Sequence, residues 1–262
     1  MEATQQALLT VFTNLFILQV RPAIALGFSP FFGFQAILGL PRRAFFVITA
    51  VITCPMLWPI LAGRNLSQPE MILTVLHEAI IGMLLGFTAG IPFWAMESAG
   101  QIIDLQRGTT SGSLFNPQFG SVTSPMGNLL LRFFTTYFYA TGGFLLFLAA
   151  LFTTYEYLPP VPALPVWQPG SQAMILSLMS DFFRLMLVYS APFLLVFLLV
   201  DSGLGLMNRF VPSLNIFFFS MPIKSILTYV LALACLVELI VCFRGELKGF
   251  TGLASFIRSL VK

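Results

Sequence analysis

The chain alternates long uncharged runs with short clusters of charge. Uncharged runs cover Ala3–Val20, Pro22–Pro41, Ala44–Gly63, Ala79–Met96, Phe133–Tyr155, Leu185–Val200, Phe210–Ile223 and Ser225–Val237. A helix that spans a bilayer needs about 20 apolar residues, so grouping these runs predicts roughly six long helical segments, several of them interrupted. Pro22, Pro30, Pro55, Pro59, Pro92, Pro192 and Pro222 lie within or beside the segments. Each removes a backbone donor and can kink a helix. Broken helices are common in channels and transporters. The fold class expected is an all-α membrane protein of kinked hydrophobic helices and helical hairpins.

One stretch departs from this pattern. Between Gly100 and Asn128 the sequence carries no charge after Arg107, and the next charge is Arg132. From Thr109 onward it holds only Ser, Thr, Asn, Gln, Gly and Pro with a few apolar residues among them. An exposed loop of that length ordinarily recruits Lys, Glu or Asp. Irregular backbone at membrane depth persists only where protein or a water-filled cavity satisfies its N–H and C=O groups. The stretch therefore reads as the lining or gate of a conduit, with Leu114, Phe115, Phe119 and Met126 available as an apolar plug. Gly108, Gly112, Gly120 and Gly127 would let it move aside. Glu97, Gln101 and Asp104 recur at i, i+4 and i+7 and lead into Arg107, a polar stripe at the mouth of the loop. Asp104 and Arg107 are spaced to pair.

Composition sharpens the picture. The 262 residues are 58% hydrophobic and 9% charged, with mean hydropathy +0.92. Soluble domains carry roughly 25% charged residues, so a soluble globular protein is close to excluded. A net charge of +3 is too small and too scattered for nucleic-acid binding. Cys54, Cys235 and Cys242 sit in apolar runs without metal or disulfide spacing. There is no HExxH, GxSxG or phosphate-binding loop, and Ser113 lacks the second glycine of a nucleophile elbow. No enzymatic, metal or cofactor site is expected. The N-terminus lacks the positive region of a cleavable signal peptide, so the first apolar segment is expected to be retained. His77 in its apolar helix reads as a packing residue.

Charge placement conflicts with simple spans. Six spans with the basic tail (Arg244, Lys248, Arg258, Lys262) inside would leave Arg42, Arg43, Arg107 and Arg209 outside, against the positive-inside rule. Gly82, Gly86 and Gly90 form a doubled GxxxG that strips one helix face to backbone; its partner is either the same chain or another subunit. Pro159, Pro160, Pro162, Pro165 and Pro169, ending at Gly170, predict a semi-rigid connector ahead of a C-terminal hairpin over about Ser171–Phe243, which turns at 208–215. Arg132, Asp181, Arg184, Asp201, Lys224 and Glu238 lie in apolar surroundings, where charges face protein or water. Asp181 and Arg184 are spaced to pair, and Lys224 and Glu238 fall near one face of the last helix. So many embedded charges are hard to satisfy internally, and they point to a hetero-oligomeric interface.

The run from Glu97 through Gln101-Ile-Ile-Asp-Leu-Gln-Arg-Gly108 to Asn116-Pro117 resembles the signature loop of the FliR/SctT family. These are export-apparatus proteins of bacterial flagella and type III secretion injectisomes. Leu204-Gly-Leu-Met-Asn-Arg-Phe-Val-Pro-Ser-Leu-Asn215, running on to Lys224, matches as well, as do Arg21-Pro22 and Pro41-Arg42-Arg43. The Asp-Leu-Gln-Arg-Gly wording with Asn215 and Lys224 resembles the injectisome branch (SctT, also called SpaR or YscT) more than flagellar FliR. Gln101 and Asn116 stand where Glu and Asp are common in flagellar members, so the loop lacks that negative charge. The resemblance implies an SctR/FliP-like part (residues 1–158, with a plug loop at 108–127), the connector 159–170, an SctS/FliQ-like hairpin (171–243) and a basic tail (244–262). It implies one copy of this chain completing a helical ring with several SctR/FliP-like and SctS/FliQ-like subunits, wrapped by an SctU/FlhB-like switch protein. The assembly would sit in the bacterial inner membrane, raised toward the periplasm, and pass unfolded secreted proteins. The alternative is a self-contained small-solute transporter or channel, which should show an internal inverted repeat; none is visible.

Overall fold

The computed structural model describes residues 2–32, 40–61, 67–108, 124–210 and 216–261. Its helices are α1 (Glu2–Phe28), α2 (Leu40–Leu61), α3 (Gln68–Gln106), α4 (Pro125–Ala140), α5 (Gly143–Tyr157), α6 (Ser171–Asn208), α7 (Ile216–Ala234), α8 (Leu236–Lys248) and α9 (Leu253–Leu260). Short 3-10 turns occupy Pro30–Phe32 and Gly249–Gly252. Among the described residues no strand forms; one isolated bridge joins Trp167 to Val261. The chain is an all-α membrane protein. Among the described residues three helices, α1 over Val11–Phe28, α3 and α6, are long and apolar enough to cross a bilayer, and up to five spans result if two bent helix pairs each count as one. The roughly six continuous segments expected reduce to this because short breaks, such as the one at Cys235, divide apolar runs.

Pro22, Pro92, Pro192 and Pro222 all lie inside helices. A proline there forgoes one main-chain hydrogen bond, and these long helices continue through it because apolar packing holds both sides. The connector is irregular, as the prolines predict. Gln168 N–H donates to the Leu260 carbonyl at 3.0 Å and Gln168 Nε2 to the Arg258 carbonyl at 3.1 Å, so the connector lies along α9.

The chain forms two compact units that interleave along the sequence. The first comprises residues 1–91, 142–178 and 248–262, the second 92–141 and 179–247; α3 contributes to both and changes at Pro92.

The first unit is built around Arg21, whose side chain is wholly buried. Its Nε and Nη2 donate to the two carboxylate oxygens of Glu78 on α3, at 2.9 and 2.6 Å. Nη1 donates to Thr154 Oγ1 at 3.0 Å and Nη2 also to the Leu158 carbonyl at 2.7 Å. The guanidinium carbon lies 4.0 Å from the Tyr155 ring centroid, and Tyr155 Oη donates to the Leu18 carbonyl at 2.9 Å. One side chain from α1 thus ties α3, α5 and the start of the connector together. A bidentate guanidinium–carboxylate pair with its remaining donors satisfied is the geometry in which burial of two charges is tolerated.

The glycine stripe makes that approach possible. A side chain at Gly82 would place its Cβ 2.6 Å from the Arg21 carbonyl oxygen, and one at Gly86 would overlap the Ala25 carbonyl. Helix α1 therefore lies backbone to backbone against α3 at these two positions, so the glycine face is occupied within the chain there. Gly90 is buried in the same helix. Phe31 and Phe147 meet edge-to-face at 5.2 Å, and Phe32 stacks on Phe144 at 6.1 Å, which closes the far end of this core.

The second unit centres on Phe93, Phe134, Phe138 and Phe243, all buried. Phe243 of α8 lies 5.3 Å from Phe93 of α3 and 4.8 Å from Phe134 of α4, and Phe93 lies 5.1 Å from Phe138. Such offset and edge contacts add about 0.5–1.5 kcal/mol per pair beyond burial.

Two outcomes test this arrangement. Glu78→Leu strands a buried guanidinium and should cost about 3–5 kcal/mol, whereas the double change Arg21→Met with Glu78→Leu should recover most of it. Thermal unfolding in detergent measures both; equal midpoints for the single and double variants would mean the pair does not hold the unit. Gly86→Ala should destabilise by about 1–3 kcal/mol through overpacking, while Gly245→Ala, where a Cβ meets open space, should stay close to the parent.

Candidate functional site

Helix α3 ends at Gln106, and Gly108 follows in the left-handed conformation at φ +84°. Its N–H donates to the Leu105 carbonyl at 3.1 Å. This is the position where a helix commonly stops on glycine, because a Cβ is penalised there. A Cβ would also sit 3.1 Å from the terminal methyl of Met221 on α7. The chain resumes at Ser124, which caps α4: its Oγ accepts from the Gly127 N–H at 3.0 Å.

Asp104 joins these two ends. Its Oδ2 accepts from Ser124 Oγ at 2.6 Å and from the Met126 N–H at 2.9 Å. Its Oδ1 lies 2.7 Å from Arg107 Nη2. Asp104 and Arg107 are both buried, at 3% and 4% exposure, so the pair works at low dielectric, where charge-assisted bonds are strongest. A carboxylate at a helix N-terminus also meets the positive end of the helix dipole. The last turn of α3 and the first turn of α4 are thereby fastened together on either side of residues 109–123.

Below them the backbones of the two helices approach closely at Gly100 and Gly127. A Cβ on Gly100 would overlap Gly127, and one on Gly127 would lie 2.9 Å from the Glu97 carbonyl oxygen. Gly127, expected to lend the loop freedom, instead lies in the first turn of α4 and permits this crossing. Met126, expected as an apolar tip of the plug, is 1% exposed and lies in the same turn. Helix α4 and its cap at Ser124 therefore begin before residue 127, the loop boundary read from sequence.

A third helix reaches this base. Lys224 of α7 is 5% exposed; its Nζ donates to the Gln106 carbonyl at 3.2 Å and meets both Asp201 oxygens of α6 at 2.6 and 2.7 Å. It thus offers its charge to the free carbonyl end of α3, where cations are favoured. Asp201 is half exposed, so water screens part of that pairing. The Arg107 guanidinium carbon lies 5.6 Å from the Tyr229 ring centroid.

Of the polar stripe, Asp104 and Arg107 come together, Glu97 is half-buried and Gln101 is exposed. Gly112, Leu114, Phe115, Asn116, Pro117, Phe119 and Gly120 lie outside the described residues. Asp201 and Lys224 meet within the chain, while Arg132 is exposed. Lys224 and Glu238 do not share one helix, because the break at Cys235 places Glu238 on α8. Arg184 lies 3.6 Å from Asp181, as its spacing predicts, and 3.6 Å from Glu246. Most of the embedded charges thus find partners in the chain, fewer than expected being left for an interface. Among the described residues no cluster of His, Cys, Asp and Glu could hold a metal.

Comparison with known proteins gives the arrangement a context. A family model described as bacterial export proteins, family 1, matches residues 12–249. Yop proteins translocation protein T of Yersinia pestis is 41% identical over 174 residues, 66% of this chain and 64% of that relative. The chain thus matches slightly less than two thirds of that relative's length. Surface presentation of antigens protein SpaR of Salmonella typhimurium is 34% identical over 206 residues, 76% of this chain and 73% of the relative. Flagellar biosynthetic protein FliR of Bacillus subtilis is 25% identical over 219 residues, 82% and 83% of the two chains. Identity is higher to the translocation and antigen-presentation proteins than to the flagellar one, which favours the injectisome branch.

Asp104→Ala should remove the hold on both flanks and cost about 3–5 kcal/mol by leaving Arg107 buried without its partner. Ser124→Ala should cost about 1 kcal/mol, the worth of one cap. Limited proteolysis with proteinase K reads the same contact: cleavage between Gly108 and Ser124 should accelerate in Asp104→Ala. An unchanged cleavage rate would show that Asp104 does not restrain the segment.

Proposed function

This chain belongs to the bacterial export proteins of family 1, and from that premise we propose that it is a core subunit of a type III secretion export gate. In this reading one copy completes a hetero-oligomeric helical pore for unfolded protein substrates. It does so with several SctR/FliP-like and SctS/FliQ-like subunits, inside an SctU/FlhB-like switch protein. Residues 1–158 take the SctR/FliP-like role and 171–243 the SctS/FliQ-like role, with 159–170 linking them and 244–262 as a basic tail. The pore sits in the bacterial inner membrane, its core raised toward the periplasm. The family is one of export proteins and no catalytic role is assigned.

The observation that carries the gating part is the base built by Asp104. It fixes Gly108 and Ser124 as the two ends of an uncharged, glycine-bearing segment. A gate for substrates of many sequences must seal without binding them tightly. Ser, Thr, Asn and Gly offer weak, sequence-blind contacts, while Leu114, Phe115 and Phe119 exclude water. Gly112, Gly120 and the Asn116-Pro117 pair are residue types suited to turns. In this reading the two fixed ends would let the segment move aside and return to one place. Arg132 and the exposed apolar faces of α6 and α7, Leu198, Leu199, Phe218 and Ile226 among them, are assigned to contacts with neighbouring subunits, with the rest of the Gly90 face.

Deleting Thr110–Ser121 should leave assembly intact and make the membrane leaky to small ions, read as dye or potassium flux in cells; unchanged permeability would refute the plug. Native mass spectrometry of the chain expressed with and without SctR/FliP-like and SctS/FliQ-like subunits tests the larger claim. A complex with one copy of this chain among several partner copies is expected. A stable monomer or homo-oligomer indifferent to those partners would replace the export gate with a self-contained solute transporter.

A further inference from the structure

A second feature lies in the first unit, away from the loop base. The connector, the end of α5 and α9 enclose a cavity of about 690 Å³. Its walls are largely apolar, from Leu158, Val161, Leu164 and Val166 among others. Its polar contribution is one-sided: Arg258, Gln168, Tyr157 and His77 line it, and among the described residues no carboxylate does.

Arg258 stands over the Tyr157 ring, its guanidinium carbon 4.8 Å from the centroid, and forms no ion pair among the described residues. Gln168 Nε2 is committed to the Arg258 carbonyl, which fixes the backbone from which that arginine projects. His77 is 4% exposed. Its Nδ1 carries a proton, because its neighbour at 2.8 Å is the Ala163 carbonyl, which can only accept. Its Nε2 is buried with no partner among the described residues.

The rim adds a third property. Val166, Leu164 and Trp167 are 67%, 52% and 48% exposed and are held in place by the Trp167–Val261 bridge. Helix α9 buries Leu253, Ala254, Ile257 and Leu260 and presents Ser255, Arg258 and Ser259 outward. Exposed Trp and aliphatic side chains beside an arginine on a short amphipathic helix match the chemistry of the membrane–water boundary.

We propose that this cavity binds a single anionic phospholipid, its phosphate on Arg258 and its first acyl carbons along Leu158, Val161 and Leu164. The volume falls in the range of small-molecule sites. The charge is complementary, since a cation with no ion pair among the described residues borders an apolar slot that opens beside interfacial side chains. A zwitterionic lipid would bring an ammonium group to a rim already cationic, so an acidic headgroup is preferred.

The site is independent of the plug and of the subunits proposed above. The test uses the full chain in whatever assembly it forms, exchanged into nanodiscs of phosphatidylcholine alone or of equal parts phosphatidylcholine and phosphatidylglycerol. After mild release, native mass spectrometry counts lipids retained per copy of the chain. One retained phosphatidylglycerol is expected, with little phosphatidylcholine. Arg258→Gln should weaken retention about fivefold, the worth of one cation near an anionic lipid surface. Val161→Trp fills the cavity and should abolish retention. An unchanged melting temperature in lipid-free detergent establishes that each variant is folded. Equal retention of both lipids, or retention unaffected by either variant, overturns the proposal; so does displacement by inorganic phosphate alone, which would make the site one for a free anion.

Discussion

Two opposite charges buried in the apolar interior of one unit set the geometry around them. Arg21 and Glu78 each interrupt an otherwise uncharged stretch, and each supplies the counter-charge that the other needs once buried. Their bidentate contact requires α1 and α3 to lie closer than ordinary side chains permit. Gly82 and Gly86 supply that approach, and Thr154, Tyr155 and the Leu158 carbonyl use the donors and the ring face that the pair leaves over. The interaction specifies register more than it adds stability: shifting α1 by one residue against α3 would bury two uncompensated charges and drive Ala25 into a wall of backbone. The end of α5, and with it the start of the connector, takes its position from the same guanidinium.

The loop base in the second unit follows the same logic at smaller scale. Asp104 is placed by a helix end, Gly108 terminates that end, and Gly100 and Gly127 allow α4 to come near enough for its first N–H groups to reach the carboxylate. Lys224 brings the α6–α7 hairpin to the remaining carbonyl of α3. The strongest polar contacts lie at the two helix ends, and the segment between them carries no charge.

Much of this was legible in the sequence, and the misses have physical reasons. Helix positions followed from the uncharged runs, the connector from five prolines, the Asp104–Arg107 contact from i, i+3 spacing, and the family from the wording of the two motifs. The pairing of Arg21 with Glu78 was not, because 57 residues separate them and nothing local links them; the signal available was that each is a solitary charge of opposite sign in an apolar run. The break at Cys235 carries neither glycine nor proline, so no residue type announces it. Gly127 sits at the edge of a polar stretch and reads as flexibility until the backbone of α3 is seen against it. The meeting of Asp201 and the Gln106 carbonyl around Lys224 joins helix ends from different parts of the chain, which periodicity alone cannot bring together.

The anchoring of residues 109–123 has a metric consequence. An extended chain gains at most about 3.3–3.6 Å per residue, so the fifteen residues between the fixed ends have a contour near 50 Å. A tether that leaves and returns to one base reaches only about half its contour. Every residue of the segment therefore stays within about 25 Å of Asp104. That distance is a ruler carried by the sequence: each pair of residues inserted between Gly108 and Ser124 would extend it by about 3 Å, and each pair removed would shorten it equally.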